Sequence, residues 1–318
     1  MSASGGTKAI FAALGANIGI AIVKFIAAAI SGSASMLAEG VHSLADSANQ
    51  LLLLLGGRRA RKAADEEHPF GHGRERYVYA FVVSIVLFSV GGVFSLYEGI
   101  EKFAHPHPLD NWWLPVTVLV IAIGLEGFSL RTALKEARPD KGSQSWVQFV
   151  RRAKAPELPV VMLEDTAALT GLVFALFGVG LTAITGNGVF DAIGTVLIAV
   201  LLIAVALVLG VETKSLLVGE GANPGDVARI RQAVLDGPEV DSVIHLKTLY
   251  LGPDELMVGV KVAVDGDRRL GDVAAGIDTV EQRVRAAVPI ARVIYIEPDV
   301  LHDGPHPSTE AIVLRAAD

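Results

Sequence analysis

Three polar side chains share one stripe of an otherwise apolar run. In Glu39-Gly-Val-His42-Ser-Leu-Ala-Asp46 the steps of three and four residues return each side chain to the same face of a helix. An imidazole flanked by two carboxylates on one face can hold a cation; the same spacing also lets His42 and Asp46 bond to each other or to a neighbouring helix. Two adjacent carboxylates, Glu164 and Asp165, stand at the foot of a charge-free stretch, 166–190. Neighbouring helical positions diverge by about 100°, so one of the two can face the first stripe while the other looks sideways or caps the helix. A third constellation, Asp65-Glu-Glu-His68-Pro-Phe-Gly-His72-Gly-Arg, sets one Asp and two His within eight residues. Its glycines allow a tight wrap and its nitrogen and oxygen donors suit a bound zinc, although the stretch also reads as a solvated charged loop. The chain has no cysteine, so any metal must be held by His, Asp and Glu.

The elements that carry these residues are membrane spans. Of 318 residues, 52% are apolar and only 19% charged, and the mean hydropathy is +0.49. About 20 mostly apolar residues cross the 30 Å of bilayer hydrocarbon. The stretches 77–97, 166–190 and 192–211 contain no charge; 9–30 contains only Lys24, 36–57 only Glu39, His42 and Asp46, and 112–130 only Glu126. Six transmembrane helices are expected. A charge inside a span costs about 2.5–3.5 kcal/mol on the insertion scale and so marks a site or a pair. Lys24 and Glu126 read as structural, and Asp191, after Gly186-Asn187-Gly188, as a helix cap. Lys8 is the only basic residue before the first run, which lacks a small-residue cleavage pattern and is expected to stay as a span.

Basic residues orient the spans. The connection after span two holds Arg58, Arg59, Arg61, Lys62, Arg74 and Arg76; that after span four holds Arg131, Lys135, Arg138, Lys141, Arg151, Arg152 and Lys154. The connection after span three holds only Lys102, and the turns 31–33 and 185–188 hold none, so both termini are expected in the cytoplasm. Without a transit or signal segment, a bacterial inner membrane is the expected location. Residues 1–210 balance sixteen acidic against sixteen basic side chains, whereas 211–318 carry eighteen against eleven. This leaves no basic stripe for a nucleic acid. The C-terminal pattern is helix 226–235, strands 242–251 and 256–264 around Gly252-Pro253-Asp254, helix 273–288 and strand 292–297. The expected division is a transmembrane domain 1–212, a cytoplasmic α+β domain 213–300 and a disordered tail 301–318 containing His302 and His306.

With these motifs in view, the chain resembles the cation diffusion facilitators over nearly its whole length. The family's span-two pattern, His or Asp, three residues, then Asp, fits His42 and Asp46; its loop pattern fits Asp65, His68 and His72, followed by Gly-His-Gly-Arg. The resemblance implies six spans, a C-terminal domain of metallochaperone, ferredoxin-like fold and a homodimer. It also implies efflux of a divalent cation, zinc foremost, in exchange for protons by alternating access. Where members carry a second His-x3-Asp pair in span five, Asp165 takes the Asp, Val161 the lost His, and Glu164 is the candidate substitute. Leu-Glu-Asp-Thr-Ala-Ala with His-Ser-Leu-Ala-Asp-Ser-Ala-Asn-Gln is similar to a divergent branch that includes the mitochondrial zinc transporter nine. The family's cytoplasmic binuclear site is eroded: His245 matches one ligand and Glu297 replaces an Asp, while Tyr295 and Ala274 stand where His is expected. A transporter selective for iron, cobalt or manganese, and a non-transporting metal sensor or scaffold, are the alternatives. No His-Glu-x-x-His occurs, which leaves no motif for an intramembrane metalloprotease.

Overall fold

A two-residue turn, Gly32-Ser33, sets the first hairpin of the computed structural model, which describes residues 3–106, 109 and 111–301, with backbone alone at 3–13, 15, 16 and 140. Helix α1 (Ala3–Ser31) ends where Gly32 adopts φ +66°, a left-handed value that favours glycine. Ser33 then caps α2 (Ala34–Arg59) by accepting from Met36 N at 3.2 Å. The third long helix runs as α3 (Glu75–Val86), a π-helical segment Leu87–Val93, and α4 (Phe94–Ala104). Then follow α5 (Trp113–Lys141), the short α6 (Trp146–Arg152) with its Ser145–Gln148 capping box, α7 (Glu157–Thr185) and α8 (Val189–Val218).

Four of these helices are long and apolar enough to cross a membrane: Glu75–Ala104, Trp113–Pro139, Glu157–Thr185 and Val189–Val218. Helix α1 has a shorter apolar stretch, Asn17–Ser31, and α2 carries the charged stripe. Their outward faces keep Ile22, Ile26, Phe128, Phe177, Val200 and Val211 exposed, as lipid-facing side chains would be, while Leu119, Leu172, Ile198 and Leu202 fill the interior. Gly178 of α7 and Gly194 of α8 let two backbones approach: a Cβ on Gly178 would meet Phe190 O at 2.9 Å and Gly194 Cα at 3.4 Å.

The start of α7 differs from the sequence expectation. Helix begins at Glu157, behind Pro156, so Glu164 and Asp165 lie two turns inside it rather than at its foot. The same helix stops at Gly186, φ +70°, whose N–H bonds Thr182 O at 2.8 Å, and this splits the stretch 166–190 between two helices.

The chain divides into two compact units, 1–64 with 74–217, and 65–73 with the chain from 218 onward. The second unit contains α9 (Pro224–Leu235), β1 (Ser242–Gly252), β2 (Glu255–Ala263), α10 (Leu270–Ala287) and β3 (Ala291–Asp299). Its sheet has the order β1-β2-β3, with β1 and β2 antiparallel and β2 and β3 parallel. The parallel pair needs the crossover that α10 supplies. Ile230, Val234, Val258, Val260, Val280 and Val284 form the core between helices and sheet. Apart from Leu301, the expected tail, with His302 and His306, lies outside the described residues.

Candidate metal centres

Helix α2 presents Glu39, His42, Asp46 and Asn49 at spacings of three, four and three, all buried. His42 Nδ1 stands 3.5 Å from Asp46 Oδ1 without hydrogen-bond geometry. Among the described residues, neither His42 ring nitrogen nor Asp46 Oδ1 has a hydrogen-bond partner. The spacing also allows a hydrogen bond between His42 and Asp46, and at 3.5 Å the two are in contact without making one. Buried polar atoms are normally satisfied, so these three orphaned atoms, with Glu39 Oε1 and Asn49 Oδ1 unpartnered on the same helix face, leave room for a bound cation.

Helix α7 brings its two carboxylates to different partners. Asn49 Nδ2 donates to Glu164 Oε1 at 2.6 Å, whereas Ser129 Oγ of α5 donates to Asp165 Oδ2 at 3.1 Å. The family resemblance gave the ligand position in this helix to Asp165; the bond across to α2 is made by Glu164. Both remain buried, and Glu126, three residues before Ser129 on α5, is buried with them.

Other charges buried in the helical unit are taken up elsewhere. Lys24 of α1, fully buried, donates to Glu39 Oε2 at 2.9 Å and to Ser43 Oγ at 2.8 Å, which occupies one oxygen of Glu39. Asp191, also fully buried, accepts from Ser33 Oγ at 2.9 Å, from Ala34 N at 2.8 Å and from Ser35 Oγ. It caps a helix, as expected, but that helix is α2 and not its own. Asn49 and Ser129 are the site residues that sequence reading passed over. Asn49 could have been found from its place three residues after Asp46; nothing in the sequence singles out Ser129.

In the loop before α3, Asp65, His68 and His72 each offer a ligand atom within 4.8 Å of the others. Asp65 Oδ1 accepts from His68 N at 2.7 Å and lies 3.3 Å from His68 Nδ1, and Asp65 Oδ2 lies 3.1 Å from His72 Nε2. The turn is closed by Gly71, φ +78°, whose N–H bonds His68 O at 2.9 Å. His72 is buried, while Asp65 and His68 stay accessible. The His68 backbone N–H first, and the His72 ring after it, pull the Asp65 carboxyl down to about 2. Two ring nitrogens and a carboxylate this close fit three corners of a zinc tetrahedron. Gly73 closes the loop tightly on β1: a Cβ there would meet Leu251 O at 2.7 Å.

On the sheet, His245, Lys261 and Glu297 occupy one cross-strand row. Lys261 Nζ bonds Glu297 Oε1 and Asp299 Oδ2, each at 2.9 Å, and Asp299 first, then Glu297, raise its pKa. An ammonium therefore sits on the carboxylates that a metal there would need.

Comparison with known proteins follows the same division. The family model of the cation efflux transmembrane domain matches residues 10–218, and that of the cation efflux protein cytoplasmic domain matches 222–299. The mitochondrial proton-coupled zinc antiporter SLC30A9 of Xenopus laevis is 33% identical over 245 residues, 76% of this chain and 44% of that protein. Metal tolerance protein C4 of Arabidopsis thaliana is 28% identical over 261 residues, 81% of this chain and 57% of that protein. The cation-efflux pump FieF of Shewanella oneidensis is 29% identical over 273 residues, 86% of each chain. The chain thus spans less than half the length of the animal relative it matches.

Proposed function

Since this chain belongs to the cation diffusion facilitator, or cation efflux, family, whose members are transporters and not enzymes, we propose that it exports a divalent cation, zinc foremost, in exchange for protons. The observation that carries this reading is the pair of orphaned ring nitrogens on His42 beside the orphaned Asp46 Oδ1, buried inside a helical membrane domain. Glu164 and Asp165 supply the span-five side of the site. One imidazole and two or three carboxylates suit zinc better than manganese or magnesium, which favour all-oxygen shells. The name of the animal relative, a proton-coupled zinc antiporter, supports the same cargo and coupling.

The architecture we infer is six spans, with α1 and α2 completing the four apolar helices, both termini cytoplasmic, and a ferredoxin-like cytoplasmic domain. The functional division falls at 1–212 and 213–300. Two copies assemble as a homodimer in the lipid bilayer; a bacterial inner membrane is the location we read from the sequence, whereas the animal relative is named as mitochondrial.

Moving a divalent ion out against 100 mV costs about 4.6 kcal/mol, twice the cost for one charge. One inbound proton returns about 2.3 kcal/mol, and each unit of pH gradient adds about 1.4 kcal/mol. A residue that binds a proton when metal leaves, and loses it when metal binds, couples the two flows; His42 is the residue of that kind at the site. Its imidazole and the Asp46 carboxylate take the ion from one side, release it to the other as the helices rock, and return protonated.

Reconstitution into proteoliposomes tests the reading. Zinc should accumulate inside when a proton gradient of opposite direction is imposed, and iron, manganese and cobalt measured in parallel rank the cargo. Absence of flux for all four ions, in protein that still binds zinc, would make the chain a sensor instead.

A further inference from the structure

Lys24 is the one basic residue on the described part of a span that reaches into the intramembrane set. Its ammonium bonds Glu39 and Ser43, which stand three residues before and one residue after His42 on α2. Glu39 keeps its second oxygen, Oε1, without a partner among the described residues. That oxygen lies beside Gly171 of α7, where an added Cβ would come within 2.7 Å of it. The ion pair thus sits between α1 and the turn of α2 that carries His42, beside Gly171 of α7.

Stability does not explain such a pair. Stripping water from both charges costs several kcal/mol per ion, and apolar replacements of buried pairs are often neutral or stabilising. What the pair supplies is one positive and one negative charge in a medium where each is felt far more strongly than in water. A carrier has a use for them, because an ion held too firmly by several carboxylates would never leave.

We propose that Lys24 and Glu39 form an affinity-setting pair for the intramembrane metal site. The Lys24 ammonium opposes an arriving divalent cation, Glu39 offsets that opposition, and their balance holds the cargo loosely enough for release. Neither residue is a ligand of the ion. The proposal rests on the reading of His42, Asp46 and Glu164 as cargo ligands.

The two charges make opposite predictions, which a merely structural pair would not. Zinc titrations of the full chain in nanodiscs, on a background carrying His68→Ala and His72→Ala, read the intramembrane site alone. Lys24→Met should tighten zinc binding about tenfold, equivalent to about 1.4 kcal/mol, and slow turnover at saturating zinc. Glu39→Gln should weaken binding by a similar factor. The double variant, which restores the charge balance, should return to within about threefold of the parent, about 0.7 kcal/mol. Shifts of the same sign in both single variants, or no shift in either, would overturn the proposal. Should Lys24→Met fail to fold, unchanged or tightened binding by Glu39→Gln overturns it equally. If His42→Ala leaves zinc binding on this background intact, it is the ligand assignment that has failed, and the proposal falls with it.

Discussion

Asn49 and Glu164 are joined by a 2.6 Å hydrogen bond that ties α2 to α7 beside the candidate cargo site. Asn49 follows Asp46 by three residues, so this bond turns Glu164 toward the stripe that carries His42 and Asp46. Asp165, about 100° round α7, answers to Ser129 of α5 instead.

The expected consequence is an order of severity. Glu164→Gln should abolish zinc flux in proteoliposomes, because the carboxylate nearest the α2 stripe loses its charge. Asp165→Asn should slow flux about tenfold, an effect of about 1.4 kcal/mol on a site whose other ligands remain. If flux survives the Glu164 change and disappears with the Asp165 change, the ion sits toward α5 and the hydrogen bonds seen here rearrange on loading.

His42 and Asp46 should be indispensable to transport and dispensable to folding. Their facing atoms make no hydrogen bond, so Asp46→Ala removes no bond that holds the helices together. Flux should vanish while expression, dimer size on a sizing column and thermal midpoint stay near those of the parent. Zinc transport by Asp46→Ala at the parental rate would remove Asp46 from the site.

The loop cluster should bind metal without carrying it. His68→Ala with His72→Ala should lower bound zinc by one ion per chain, counted by elemental analysis, and leave flux measurable. The sign of its acid response follows from Asp65, whose carboxyl is lowered from 3.8 to about 2. A lowered acid contributes above its unfolded value and loses that contribution as pH falls through the folded one. The Asp65 bonds to His68 N and His72 should therefore persist at pH 5 and fail between about 4 and 2, read from the carboxyl carbon resonance. A midpoint near 3.8 would show that the loop bonds are not formed in solution.

How far the sequence foretold this arrangement depended on the range of the interactions involved. Spacing alone delivered the stripe on α2 and the helix-strand-strand-helix-strand order of the C-terminal unit, because periodicity is a local property. The Asp65-His68-His72 cluster was legible for the same reason, its members being at most seven residues apart. Long-range partners were not. Lys24 lies 15 residues from Glu39, Asn49 lies 115 from Glu164, and Ser33 lies 158 from Asp191, and no local pattern encodes such pairs. The start of α7 was misjudged because Pro159 and the carboxylates obscured a helix that Pro156 begins.

On the sheet, Lys261 already satisfies Glu297 and Asp299, and the C-terminal domain should bind no zinc of its own. In full-length protein lacking both histidines of the loop and carrying Asp46→Ala, zinc retained after dialysis should fall to the level of the buffer. One tightly held ion per chain, lost on His245→Ala, would show that Lys261 gives way to a metal.

Asp191 offers the test of a charge that looks functional and is structural. It is fully buried near the end of a membrane helix, the setting in which an acid is read by default as a site. Yet its two oxygens accept from two hydroxyls and a backbone N–H, all at the start of α2, and Thr182 of α7 holds its own backbone N–H at 3.0 Å. Those bonds fix the α1–α2 turn to the start of α8, and α2 carries the cargo stripe. Asp191→Ala would remove the acceptor of Ser33 Oγ, Ser35 Oγ and Ala34 N in a dry interior, at a cost of about 3–5 kcal/mol, where Ser35→Ala, which loses its bond to Asp191 and its 3.1 Å contact with Ser33 Oγ, costs about 1–2 kcal/mol. The thermal midpoint in detergent should fall accordingly, far more for Asp191→Ala than for Ser35→Ala. Zinc affinity of the folded fraction should not change, because no bond of Asp191 reaches His42, Asp46 or Glu164. A variant that melts like the parent but loses zinc would make Asp191 a ligand on the ion's path, and the cap would then be only its resting partner.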